Sequence, residues 1–186
     1  VDLALVIMAA ASPAPNLNLL DRFLVTMEQQ RVNCCVCFNK QDLVDEQTKD
    51  RLRESYRNTG YPVLFTSARQ EEGLLELRKV LSGRTTTVAG PSGVGKSSLI
   101  NCLQSHTSME TGEISSKIER GKHTTRHSEL ICVSEGTYIV DTPGFSSIEL
   151  YGMEKEELQD YFPDFVPWEP ECRFACLLYT SPSPRD

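Results

Sequence analysis

The sequence carries no excess of positive charge. Nineteen lysines and arginines stand against 26 aspartates and glutamates over 186 residues, a formal net charge of −7. Such a balance leaves no overall electrostatic footprint for nucleic acid, so any RNA contact needs a local patch. A disulfide framework is also missing. Cys34, Cys35 and Cys37 crowd one apolar run while Cys102 and Cys132 stand alone, the pattern of reduced, buried thiols in a cytosolic protein. No stretch is fit to span a bilayer. Leu3 to Leu20 contains no charge, but Pro13, Pro15, Asn16 and Asn18 break it well short of the ~20 apolar residues a span needs. No basic segment precedes that run, which argues against a secretory signal, and there are no internal repeats. The expectation is a soluble, cytoplasmic protein without membrane contact. At 39% hydrophobic, the chain has enough apolar material for one good core.

Along the chain, apolar runs alternate with amphipathic ones. Val1–Ala10 reads as a buried strand, and it begins at once, as if cut from something longer. Leu17, Leu20, Phe23, Leu24 and Met27 recur at helical spacing and predict a helix over 16–30. Val32–Phe38 and Tyr61–Phe65 read as further strands, separated by a charged helix over 45–58. Gly73–Leu81 is a short helix, Thr85–Ala89 a β-branched strand, and Leu99–Leu103 starts another helix. Thr107–Arg126 is polar and without apolar periodicity. Leu130–Val133 and Thr137–Val140 form a pair of strands about a Ser134-Glu135-Gly136 turn, and Met153–Phe162 predicts a helix stopped by Pro163. This alternation predicts an α/β fold, a mostly parallel sheet with helices on both faces.

The organising motif is Gly90-Pro91-Ser92-Gly93-Val94-Gly95-Lys96-Ser97-Ser98, between a strand and a helix. Glycines let successive backbone N–H groups turn inward toward phosphate oxygens, and the following helix adds its positive end. Lys96 is expected to reach the β- and γ-phosphates, and the Ser97 hydroxyl to face Mg²⁺. Asn39-Lys40-Gln41-Asp42 ends a strand, where open parallel sheets bind ligands. A carboxylate at Asp42 can accept both the ring N–H and the exocyclic amine of guanine; adenine presents no such pair. Lys40 is expected to lay its stem over the base and Asn39 to tie this loop to the phosphate loop. In Thr66-Ser67-Ala68, the Ala68 N–H is expected to face the guanine carbonyl and Ser67 to shape the turn. Asp141-Thr142-Pro143-Gly144 is the expected magnesium-side partner: Asp141 holds the ion through water and the Gly144 N–H senses the γ-phosphate. Thr125, or its neighbour Thr124, is placed to complete the magnesium shell. The base-reading motifs precede the phosphate loop, the reverse of the usual regulatory order, so the P-loop NTPase fold is expected to be circularly permuted.

With these residues in view, the chain resembles the circularly permuted GTPases of the ribosome small subunit-dependent GTPase A family (RsgA, also called YjeQ or YloQ). The likeness covers about residues 1–175 and includes Asn18–Val25, Ser92–Ser98, Thr111–Ser115, Gly121-Lys122-His123-Thr124-Thr125, Asp141–Phe145 and Tyr161-Phe162-Pro163. It implies a GTPase, working with Mg²⁺ and GTP or GDP as a monomer, that acts in late maturation of the small ribosomal subunit and contacts its rRNA. It further implies an N-terminal OB-fold domain, of which nothing is expected here, and a C-terminal zinc domain. Residues 1–150 are expected to form the GTPase domain and 151–175 the irregular start of a truncated zinc-type domain. Of the zinc ligands only Cys172 falls in place, so no zinc is expected in this fragment. The last eleven residues, Cys176 to Asp186, resemble the in-frame translation of a sequencing-library adapter and are set outside the fold.

Phe145 stands where many GTPases carry a glutamine that orients water. A phenyl ring cannot do so, and slow intrinsic hydrolysis is expected, with His123 as a candidate helper beside Lys96, Thr125 and Gly144. Two other readings remain open at the level of sequence: a GTP-gated binding module with negligible turnover, and an ATP-dependent P-loop kinase, against which Asp42 argues.

Overall fold

A computed structural model describes residues 1–111, 129–141, 152–165 and 167–168. The architecture grows from strand β1, Leu3–Ala9, in which every residue is buried. Its side chains alternate between two cores: Leu3, Leu5, Ile7 and Ala9 enter one, and Ala4, Val6 and Met8 the other. A strand covered on both faces cannot afford a polar side, which is why this run is continuously apolar. Strand β2, Cys34–Asn39, pairs parallel to β1 from Ala4↔Cys34 to Ala9↔Asn39 and repeats the alternation. Strands β3 (Val63–Phe65) and β4 (Thr85–Ala89) continue the parallel sheet on either side. Strand β6, Thr137–Asp141, lies parallel to β4, and β5, Glu129–Ser134, closes the edge antiparallel to β6. Among the described residues the sheet has six strands in the order β3-β2-β1-β4-β6-β5.

The helices divide between the faces. Helix α1, Leu17–Gln29, starts at Asn16, whose side chain accepts from the Leu19 N–H at 3.1 Å. Helix α2, Glu46–Ser55, is capped likewise by Asp45, which accepts from Thr48 N–H at 2.8 Å. Leu20, Phe23 and Leu24 of α1, with Leu52 and Tyr56 at α2, cover one face. Leu74, Leu77 and Leu81 of α3 (Leu74–Leu81) join Leu99, Ile100 and Leu103 of α4 (Lys96–Thr111) on the other. Truncating a fully buried leucine here, such as Leu77 or Leu99, costs about 2–5 kcal/mol by analogy with other cores.

Several boundaries differ from the sequence reading. Helix α4 begins at Lys96, three residues before the first apolar position, and runs to Thr111, past the last apolar residue used to place it. Its first turn is set by the glycine loop, which periodicity cannot register. The helix expected at Met153–Phe162 is a 3₁₀ segment, Lys155–Tyr161. Glu154 and Glu157 cap it reciprocally, and so short a stretch, stopped at Pro163, gains little from the longer hydrogen-bond register. Strands β1, β2 and β3 are also shorter than their apolar runs, β3 by two residues, while β4 keeps the bounds read from the sequence. Among the described residues no helix is long and apolar enough to cross a membrane.

Candidate nucleotide-binding site

The carboxyl ends of β1, β2, β3, β4 and β6 share one rim, because these strands are mutually parallel. At the end of β4 the backbone turns at Gly90 with φ +151°, and a Cβ there would lie 2.1 Å from the Ile7 carbonyl oxygen. Only glycine lets this loop leave the sheet so close to β1. The loop then carries Ser92 and Gly93 outward and Val94 inward, and the hydroxyl-bearing Ser97 and Ser98 stand exposed on the first turn of α4.

Asn39, 1% exposed at the end of β2, joins three segments through one amide. Its Nδ2 donates to the Val94 carbonyl at 2.9 Å; its Oδ1 accepts from the Thr66 hydroxyl and the Ala68 N–H, each at 3.2 Å. Gly95 makes this approach possible: with φ +93°, a Cβ there would fall 2.4 Å from Asn39 Nδ2. Lys40 follows in the left-handed region at φ 62°, which swings its side chain back over the rim. Its ammonium donates to the Ser12 carbonyl and, at 2.8 Å, to that of Gly93. Asp42 lies in the short 3₁₀ turn Gln41–Leu43 and accepts from the Ser67 hydroxyl at 2.6 Å. Ser67 in turn accepts from the Gln70 N–H at 3.1 Å, so one serine shapes its own turn and orients Asp42.

Lys96, the first residue of α4, folds back onto its own loop and donates to the Gly90 and Pro91 carbonyls at 2.7 and 2.9 Å. Burial pulls its pKa down, and the Asp141 carboxylate opposes that shift. Asp141 ends β6 opposite Val88 of β4, which puts it beside the loop.

The structure thus brings Asn39, Lys40, Asp42, Ser67, Ala68, the 90–98 loop and Asp141 to one rim. His123, Thr124, Thr125, Gly144, Phe145 and Cys172 lie outside the described residues. Two contributors escaped the sequence reading. The Ser12 carbonyl gave no signal beyond its position just after β1, and Thr66 gave one only as the residue before Ser67. Among the described residues no group of three or more histidines, cysteines, aspartates or glutamates could hold a metal by itself.

A mostly parallel sheet whose glycine loop leads into a helix, with the Asn39–Asp42 and Thr66–Ala68 loops earlier in the chain, matches the fold of a circularly permuted GTPase. The RsgA GTPase family model matches residues 1–151, and the chain belongs to that family. It is 61% identical over 174 residues to the small ribosomal subunit biogenesis GTPase RsgA of Agathobacter rectalis, covering 94% of this chain and 58% of that protein. The crystal structure of YjeQ from Thermotoga maritima matches with a TM-score of 0.73 at 31% identity, covering 98% of this chain and 61% of the other. That of YloQ, described as a circularly permuted GTPase, matches with a TM-score of 0.71 at 35% identity, over 98% of this chain and 58% of the other. The chain therefore spans about three-fifths of the length of these relatives.

Proposed function

We propose that this chain binds guanine nucleotides at the rim, hydrolyses GTP, and serves the maturation of the small ribosomal subunit, as the names of its relatives describe for them. The observation that carries the reading is the Asn39 amide, which couples the Asp42 loop to the phosphate loop at 2.9 Å. Asp42, oriented by Ser67, is the base-reading carboxylate, and the Ala68 N–H and Lys40 stem complete the base pocket. A site built around a paired carboxylate rejects a base lacking the matching donors by roughly 10⁴. The N–H groups of Gly90 and of Ser92 to Ser98, Pro91 having none, and the Lys96 ammonium hold the phosphates.

The donor set suits Mg²⁺, a hard cation that takes oxygen ligands. Ser97 offers an exposed hydroxyl at the start of α4, and Asp141 a carboxylate close enough to act on Lys96. Bound there, the ion supplies charge stabilisation at the phosphates. Thr125, or Thr124, completes its shell in this reading, Gly144 senses the γ-phosphate, and His123 assists where Phe145 cannot orient water. Residues 1–150 act as the GTPase domain, a cytoplasmic monomer whose rRNA contacts involve the locally basic 117–126 segment. No zinc is assigned to Cys172.

Calorimetric titration with GDP, GTP and ATP tests the base assignment: guanine nucleotides bind, and ATP does not compete. Phosphate release with and without small subunits tests the enzyme: turnover rises with subunits. ATP binding as tight as GTP overturns the guanine reading; binding without release under either condition leaves a GTP-gated module.

A further inference from the structure

The cysteine run of β2 has no part in the site as described, yet one of its thiols reaches it. Cys37 is fully buried in the core beneath α3 and α4, and its Sγ lies 3.3 Å from the Thr66 hydroxyl. Thr66, equally buried, stands 3.2 Å from Asn39 Oδ1. The direction of these bonds follows from what each group can give. The Ala68 N–H can only donate and the Val94 carbonyl can only accept, so Asn39 must turn its oxygen to Ala68 and its NH₂ to Val94. That oxygen has no proton to offer Thr66, so the single hydroxyl proton of Thr66 goes to Asn39. The Thr66 oxygen is left as an acceptor, and Cys37 is the donor to it.

We propose that Cys37 is a positioning residue for nucleotide binding: its S–H bond turns the Thr66 hydroxyl toward Asn39, which fixes the spacing of the base-side and phosphate loops. Burial pushes the thiol up to about 12, so it keeps its proton throughout the neutral range. An apolar residue of similar volume fills the same space and leaves the hydroxyl free to rotate away. The inference rests on the guanine-nucleotide reading above.

The test titrates a fluorescent GDP analogue into the full chain and into Cys37→Val, Cys37→Ser, Thr66→Val and the Cys37→Val/Thr66→Val pair, with melting temperatures in parallel. Cys37→Val weakens binding about two- to five-fold, the range for a weak sulfur-donated bond. Its melting temperature stays near that of the wild type, where a merely structural role would lower both together. Cys37→Ser restores affinity, because a hydroxyl can donate to the same oxygen. In the Thr66→Val background Cys37→Val has no further effect. If valine does not fit, Cys37→Ala gives the same comparison with serine. Wild-type affinity in Cys37→Val, a serine variant as weak as valine, or additive losses in the pair each overturn the inference alone. A wild-type chain that binds no guanine nucleotide overturns the proposed function, and this inference with it.

Discussion

On the β1–β3 side of the rim, the side chains assigned to the base are held by protein partners. Asn39 is fixed by Val94, Thr66 and Ala68, Lys40 by Ser12 and Gly93, and Asp42 by Ser67. On the β4–β6 side the loop offers exposed hydroxyls at Ser92, Ser97 and Ser98, and its lysine rests on two neutral carbonyls of the same loop. The side assigned to the base is held by hydrogen bonds between segments remote in sequence. The side assigned to the phosphates is shaped by glycine backbone, and its ammonium is held by carbonyls of its own loop. The first arrangement favours selectivity, because a fixed carboxylate cannot relax around the wrong base. The second favours affinity for charge, because N–H groups at a helix start and an ammonium are complementary to an anionic ligand.

The largest effect that could break this contrast is at Asp42. Replacing it by Asn exchanges an acceptor for a donor suited to the extra carbonyl of xanthine, and should shift preference from guanosine toward xanthosine nucleotides by roughly 10⁴. Competition between GDP and xanthosine diphosphate measures it; unchanged guanine preference removes Asp42 from the base site. Next comes Gly90→Ala, on the phosphate side. Its Cβ would meet the Ile7 carbonyl in backbone that L residues rarely adopt, so about 3 kcal/mol of stability should be lost in urea unfolding. A smaller loss would mean that the loop can yield, against the idea of a glycine-defined cradle. Asn39→Ala, on the base side, leaves the buried Thr66 hydroxyl and the half-buried Ala68 N–H without their acceptor and should weaken GDP by roughly 1–3 kcal/mol. Calorimetry in which Asn39→Ala binds as the wild type would separate the two halves that its amide joins.

Elements with strong periodicity are legible in the sequence alone. The continuous run at Leu3–Ala9, the stripe Leu20, Phe23 and Leu24, and the β-branched Thr85–Ala89 each announce how they are buried. The placement of the motif loops at strand ends is legible too, since each follows an apolar or β-branched run. What periodicity could not carry is contact at long separation. Lys40 to Ser12, Asn39 to Val94 and Gly90 to Ile7 arise only once parallel strands bring their ends to one rim. Cys34, Cys35 and Cys37 read correctly as buried thiols, whereas Cys102 is half-buried and Cys132 exposed at the edge strand β5; the bond of Cys37 to Thr66 depends on the β2–β3 register, Cys37↔Leu64, which the sequence does not state.

The smallest effect sharpens the contrast from the side of charge. Burial makes the folded protein hold the Lys96 proton less tightly than the unfolded chain does, and Asp141 offsets only part of that. The unfolded state therefore binds more protons in the window just below the ordinary lysine pKa, and stability should rise as pH climbs through it. This gain is present in full above the ordinary value and lost as pH falls through the depressed one. Lys96 is only half-buried, so solvent screening keeps the effect small. Subtracting the urea stability of Lys96→Met from that of the wild type at each pH isolates it from other titrating groups. The difference should increase toward alkaline pH in the free protein. With saturating GDP, whose phosphates hold the ammonium charged, it should flatten or reverse. A free-protein difference independent of pH would mean that Lys96 is already satisfied by its loop carbonyls and Asp141, and the phosphate side would then be as self-contained as the base side.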